Sequence, residues 1–369
     1  MTPLAVVAWS MITPLGDTDA TVEALFAGRS GFVPVPSHAK LRNSLAAVIA
    51  ERPSHAVREG AWQRHLATRV LRDVLASAAI DPTELGRRCA LVFATSFGHL
   101  LDDGDGETMS TWARDCVRSL PCDLEPIVVG SGCSSGSDAI AVAAAMLDSG
   151  AIDVAIVVAV DIVTTAKRLA HSTLGTMAVD HVRPFDVRRS GMLLGEGAAA
   201  LVLARRDERL RHRAELLGVG ASNDAFGLTA PDPSGLSVRL ALARALLAAG
   251  LGHGDLALYL AHGTGTQLND ELEAGIVAEV FAGNDALAVV GTKGALGHSL
   301  GVCGVIELIV LVELLNRRRA PPTVGLAQPI ECVAARFPGP DGRPLAGPHG
   351  VSVTLGFGGF NTAIVARAC

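Results

Sequence analysis

Short, nearly continuous apolar runs recur along this chain, separated by longer stretches with helical spacing, and that alternation narrows its possible folds most. The runs at 90–95, 127–129, 154–160, 199–204, 256–261, 286–290, 351–355 and 362–366 are rich in valine, isoleucine, leucine and alanine. They have strand length and offer few polar positions to face water. Strands of that kind belong to sheets covered on both faces. The segments at 20–27, 61–79, 137–149, 236–249, 270–281 and 302–318 have the composition of helices that would supply the cover. The expected fold class is α/β. A chain of 369 residues is long enough for two core-forming units.

A duplication is suggested by two of the runs. Val128-Val129-Gly130 leads through a glycine-rich turn into the helix beginning near Ser137, and Val289-Val290-Gly291 leads through glycines and His298 into the helix near Val302. Two related halves, 1–210 and 211–369, would set both turns at facing strand ends. The charged segment 205–213 lies between them and reads as a solvated connector. The 34–53 and 98–126 stretches have no regular pattern, and 99–107 reads as an acidic surface loop.

Composition excludes several classes of function. A net charge of −6 gives no electrostatic footprint for nucleic acid. The seven cysteines contain no CxxC pair, so neither a disulfide framework nor a structural zinc site is expected, and no metal is assigned. Cys89, Cys116, Cys122, Cys303, Cys332 and Cys369 are expected as apolar fillers or surface thiols. Met1-Thr2-Pro3 lacks a basic leader, and the apolar stretch 301–315 is interrupted by Glu307 and Glu313. A soluble cytoplasmic protein that does not enter a membrane is expected.

Cys133 stands apart from the other thiols. It follows the strand at 127–129 and opens an alanine-rich helix through Ser134-Ser135-Gly136. At a helix start, unpaired N–H groups and the macrodipole favour thiolate over thiol, which would make it a nucleophile. Two glycine-flanked imidazoles, in His262-Gly263-Thr264-Gly265-Thr266 and Gly297-His298, could act with it.

The ordered set Gly132-Cys133-Ser134-Ser135-Gly136, His262-Gly263-Thr264-Gly265-Thr266, Lys293 with Gly297-His298, and Gly356-Phe357-Gly358-Gly359 resembles the β-ketoacyl-[acyl carrier protein] synthases. Arg183-Pro184-Phe185-Asp186, Gly195-Glu196-Gly197, Asn269-Asp270, Pro321-Pro322-Thr323 and Thr13-Pro14-Leu15-Gly16 add to the resemblance. It covers most of the chain and is strongest from about Ile127 onward.

The resemblance implies a thiolase-type fold, in which two similar α/β halves pack into five layers, αβαβα, and usually form a dimer. It implies that Cys133 accepts an acyl chain from a carrier-protein thioester, and that His262 and His298 hold a malonyl thioester as it loses its carboxylate. The backbone N–H groups of Cys133 and Phe357 would form the oxyanion hole. Lys293 would support the histidines from a buried position, with Glu307 as its counter-charge. Thr264 and Thr266 would contact the phosphopantetheine arm, and Phe357, Gly358, Phe360 and Met192 would shape the entrance and the acyl pocket. No resident cofactor is implied, because the substrates ride on the phosphopantetheine of an acyl carrier protein. The other partner would be a second subunit, in a homodimer or in a heterodimer with another ketosynthase-like chain. The 205–213 segment could alternatively form a basic rim for the acidic carrier.

Histidine at both helper positions marks the elongating type, since relatives using acyl-CoA primers pair the cysteine with His and Asn. Four departures refine the expectation. Gly132 replaces an alanine before the nucleophile, Phe360 replaces a small hydroxylated residue, and Met192 stands where an aromatic is frequent. The region 34–126 is also short, which favours specialised fatty-acid or polyketide-type biosynthesis over bulk fatty-acid synthesis. Alternative activities are acyl transfer from the same cysteine to an alcohol or amine, and a non-condensing role as the partner subunit of a ketosynthase.

Overall fold

The computed structural model describes residues 1–52, 58–103, 107–207 and 211–369. Ten strands are named in chain order: β1 Leu4–Ile12, β2 Cys89–Ala94, β3 Ile127–Val129, β4 Val154–Asp161, β5 Gly197–Arg205, β6 Ala214–Asn223, β7 Leu258–Ala261, β8 Ala288–Gly291, β9 His349–Leu355 and β10 Phe360–Ala368. The helices that matter here are α1 Thr18–Phe26, α2 Glu59–Ser77, α3 Thr111–Arg118, α4 Ser135–Asp148, α5 Thr165–Thr173, α6 Leu236–Ala249, α7 Gln267–Val280 and α8 Cys303–Asn316.

The strand order is β8-β7-β9-β10-β6-β1-β5-β4-β2-β3. It consists of two sets of five with one topology. In each set the third strand lies at the edge, followed by the second, fourth, fifth and first. β2, β3 and β4 are parallel while β5 runs against β4 and β1; β7, β8 and β9 repeat the pattern, with β10 against β9 and β6. A short antiparallel ladder, Leu4–Val6 against Ala214–Leu216, joins the sets. The two runs that suggested duplication, β3 and β8, thus hold equivalent third places. The expected boundary at residue 210 lies outside the described residues.

Side-chain alternation turns these strands into layers. Along β4, Ala155, Val157 and Ala159 enter one core while Ile156, Val158 and Val160 enter another. Along β7, Leu258 and Leu260 join that same first core, and Tyr259 and Ala261 face a third. The shared core holds α4 and α8, whose apolar residues pack between the two sheets. Helices α2 and α3 cover the outer face of the first sheet, and α6 and α7 that of the second. The resulting layers are αβαβα, as expected of a thiolase-type fold. Helix α8 is buried along its whole length from Cys303 to Leu315, which explains its uninterrupted apolar sequence.

Four elements had no clear sequence signal. β6 carries Gly218 and Gly220, which weaken any strand pattern. Helix α6 crosses so close that a Cβ on either glycine would lie 2.2 or 2.1 Å from a helix carbonyl oxygen. β1 is buried on both faces, so no alternation of polar and apolar residues shows. The 98–126 stretch, expected to be irregular, contains α3, whose Trp112, Ala113, Cys116 and Val117 are buried. Residues 104–106 of the expected acidic loop lie outside the described residues. The remaining missed element is α5, capped by Thr164, whose side chain accepts from Lys167 N.

Candidate active site

Parallel strands in each half direct their C-terminal ends toward one cavity. Cys133 follows β3, His262 follows β7 and His298 lies beyond β8; all three line a cavity of about 510 Å³. Thr264, Thr266, Met192 and Phe357 line it too, as do Arg42, Thr176, Gln267 and Asn361, among others.

The nucleophile candidate sits in a 3₁₀ turn, Gly132–Ser134, that runs directly into α4. Gly132 has φ +69°, in the left-handed region that glycine enters without strain. The glycine that departs from the family's alanine is therefore the residue this turn requires. Cys133 is buried beside Ala46, Val163, Leu194 and Leu300. Its thiol is pushed up to about 11, chiefly by burial, against lowering by the Phe357 N–H, the Lys293 ammonium and its own N–H. The expectation of a favoured thiolate is corrected on this point: loss of water outweighs the helix start. The two N–H groups expected to form the oxyanion hole, from Phe357 and Cys133, are both among the groups that lower the thiol. A direct consequence is measurable. Iodoacetamide alkylation of Cys133 in the free protein should rise about tenfold per pH unit from pH 7 to 10, tracking the rare thiolate. A plateau below pH 8 would contradict this environment.

Both imidazoles are neutral donors. His262 is held well below its ordinary pKa by burial, then by Lys293 and His298; His298 is lowered by burial, Lys293 and His171. Their rings meet edge to face with centroids 5.2 Å apart. The Leu300 N–H donates to His298 Nδ1 at 3.3 Å, and Lys293 Nζ lies 3.3 Å from His262 Nδ1. With Nδ1 accepting in each ring, the proton of each neutral imidazole resides on Nε2.

Lys293 and Glu307 lie behind His262 and do not line the cavity. Lys293 Nζ donates to Glu307 Oε1 at 2.6 Å and to the His262 carbonyl at 2.5 Å. Burial works against its charge, but Glu307 prevails and holds it above its ordinary value. Among the described residues, His262, Cys303 and Glu307 bring ligand atoms within 4.8 Å of one another. The Lys293 ammonium, bonded to two of the three, supplies the positive charge that a metal would bring.

Sequence reasoning missed the residues that position this set. Glu273 on α7 accepts the N–H groups of His262 and Gly263, both at 2.8 Å; burial raises it to about 7 although those bonds oppose the shift. Asp161, ending β4, accepts from Ser96 N and Gly301 N at 2.8 Å and pairs with the buried Lys167. A carboxylate closing an otherwise apolar strand was the available signal. His171 on α5 is a third buried imidazole, tilted against Phe357 with ring centroids 5.9 Å apart, and burial lowers it to about 4.

Two expectations are displaced. Gly358 and Phe360 do not line the cavity: at the start of β10, Asn361 turns inward and Phe360 outward, 42% exposed. The segment 205–213, of which 208–210 lie outside the described residues, is at the far end of β5. Gly197 begins that nine-residue strand near the site, so Arg205 lies about 26 Å along it. Arg205 pairs with Asp153, Arg206 with Glu215 and Arg213 with Glu313, and none of these three arginines lines the cavity.

Comparison with known proteins accords with this arrangement. The N-terminal domain of beta-ketoacyl synthase matches residues 125–209, and the C-terminal domain matches 213–327. A 3-oxoacyl-[acyl-carrier-protein] synthase 2 from Mycobacterium bovis is 35% identical over 247 residues, covering 63% of this chain and 59% of that protein. The match thus spans less than two thirds of the relative's length. A beta-ketoacyl synthase from Burkholderia phymatum superposes with a TM-score of 0.85 at 25% identity, covering 100% of both chains. A Xenorhabdus doucetiae ketosynthase, solved in complex with its chain length factor, gives 0.84 at 23% identity over 100% of this chain and 98% of that one, a likeness of fold. Among the described residues, no helix is long and apolar enough to cross a membrane.

Proposed function

The chain belongs to the β-ketoacyl synthase family, and from that premise we propose that it catalyses decarboxylative Claisen condensation of a Cys133-bound acyl group with a malonyl–carrier-protein thioester. The observation that carries this reading is the cavity shared by Cys133, His262 and His298, with both histidines fixed as Nε2–H donors.

In the loading step Cys133 Sγ attacks the acyl thioester and the carbonyl oxygen becomes an oxyanion. The N–H groups of Cys133 and Phe357 receive it. Collapse breaks the bond to the carrier-arm sulfur, and that leaving thiolate takes the proton Cys133 has given up. The histidines are poor bases here, because Nδ1 is engaged and Nε2 is already protonated. That arrangement suits the next step. The malonyl thioester oxygen accepts from both Nε2–H groups, the carbon–carboxylate bond breaks to release carbon dioxide, and its electrons form an enolate. The enolate carbon then attacks the Cys133 thioester carbonyl, collapse breaks the carbon–Sγ bond so that the β-ketoacyl chain leaves on the carrier, and the released Cys133 thiolate takes a proton from water.

Thr264 and Thr266, whose hydroxyls lie 2.9 Å apart in the lining, are suited to the amide-bearing carrier arm. The carrier protein, a cytoplasmic setting and a specialised biosynthetic role belong to the same proposal, as does the lack of any resident cofactor. The half-buried β3, at the edge of the sheet, would pair with a second ketosynthase-like subunit.

In His262→Ala and His298→Ala variants, acyl loading of Cys133 should persist while β-keto product falls about 10²–10³-fold for each lost donor. Intact-protein mass spectrometry reads the loading, and product mass with carbon dioxide release reads the condensation. Undiminished condensation in either variant would refute the assignment. A product formed without carbon dioxide would point instead to acyl transfer.

A further inference from the structure

We propose that Arg42, at the cavity mouth, anchors the phosphodiester of the phosphopantetheine arm; this rests on the ketosynthase reading above. Arg42 is exposed and lines the same cavity as Cys133. Among the described residues no aspartate or glutamate lines that cavity, and the histidines in it are neutral. The guanidinium is therefore, among the described residues, the one permanent charge in the lining. Among the described residues Arg42 forms no ion pair; NH1 donates only to the Gly175 carbonyl, at 3.3 Å. An unpaired cation beside an uncharged tunnel is suited to an anion arriving from outside.

The backbone that presents Arg42 is held firmly. Its own N–H donates to Ser172 Oγ at 2.9 Å. Next to it, Asn43 Nδ2 donates to the carbonyls of Ala178 and Asp180 at 3.1 and 2.8 Å. The buried Arg168 donates to the carbonyls of Val35 and Ser44 at 2.9 and 2.8 Å. A second cation is thus spent on shaping the 35–44 segment, and among the described residues no carboxylate pairs with its guanidinium.

Hydrogen bonds also connect this segment to the arm-binding side. Gly191 N donates to the Gly265 carbonyl, between Thr264 and Thr266, and Met192 N donates to the Thr176 carbonyl, both at 2.9 Å. One wall therefore runs from the two threonines through Met192 to Gly175 and Arg42. The threonines meet the amide portion of the arm, and Arg42 stands where the arm leaves the tunnel. A carboxylate on the malonyl unit would be the competing anion, but its place is beside the histidines.

The test measures binding rather than chemistry. Dissociation constants for phosphopantetheine, pantetheine and malonyl-pantetheine are obtained by ligand-observed NMR for wild type, Arg42→Gln and Arg42→Lys. Wild type should bind phosphopantetheine about five- to tenfold more tightly than pantetheine, a margin that narrows as salt rises. Arg42→Gln should erase the margin, and Arg42→Lys should keep part of it. Equal affinities in wild type, or a margin that survives in Arg42→Gln, would overturn the proposal. So would a loss in Arg42→Gln confined to malonyl-pantetheine, which would make the carboxylate the ligand. Failure of the condensation reading would show separately, as absent acylation of Cys133, and would leave these affinities intact.

Discussion

A Cys133→Ala variant is expected to take up no acyl group and to lose β-keto product by more than about 10⁴-fold, the scale on which removing a covalent nucleophile acts. The fold should survive. Alanine keeps the Cβ, the neighbours Ala46, Val163, Leu194 and Leu300 remain packed, and removing one buried sulfur costs about 1 kcal/mol. His262 and His298 also remain in place, so malonyl-carrier should still lose carbon dioxide, now yielding acetyl-carrier instead of an extended chain. The two readouts therefore separate: carbon dioxide continues while condensation stops. Extended product from Cys133→Ala at a rate near that of wild type would show that the acyl group is held elsewhere.

Removing the buried ammonium should have the largest effect on stability. Lys293 is 1% exposed and Glu307 is 1% exposed, so a Lys293→Ala variant leaves a carboxylate in the interior without its counter-charge. Among the described residues Glu307 Oε2 already has no partner, and only Thr292 Oγ1, at 3.1 Å, would still donate to Oε1. The expected loss is about 3–5 kcal/mol, seen as a lower midpoint in urea unfolding monitored by circular dichroism. A Lys293→Met, Glu307→Leu double variant should recover most of that loss, because no buried charge is then unpaired. It should not recover condensation. Without Lys293, Nδ1 of His262 loses its donor, and the ring is free to place its proton on the wrong nitrogen. An unchanged midpoint for Lys293→Ala would mean that Glu307 is neutral in the folded protein.

Much of this was legible because it is written locally. Cys133, His262 and His298 each follow a strand and sit among glycines, and those patterns are visible within a few residues. The apolar runs announced covered sheets, and Val128-Val129-Gly130 with Val289-Val290-Gly291 marked equivalent strands of two halves. Glu273 was missed because it accepts backbone N–H groups of another segment, which leave no trace in side-chain pattern; for Asp161, whose backbone donors Ser96 and Gly301 are also remote, a carboxylate ending an apolar strand was the one trace. Phe360 was misplaced because its motif says where the loop is but not which way each residue of the following strand turns.

The sequence by itself determined the layered α/β class and the chemical inventory of the site, since both depend on periodicity and residue type over short spans. Only the tertiary structure decided what those groups are like. Phe357 and Lys293 reach Cys133 from far along the chain, yet burial by Ala46, Val163, Leu194 and Leu300 outweighs their help and leaves a thiol near 11. The fixed tautomers of His262 and His298, and the exposed charge of Arg42 at the mouth, have the same origin. Desolvation and hydrogen bonding act through space among segments distant in sequence, so they come into existence only when the two halves pack together.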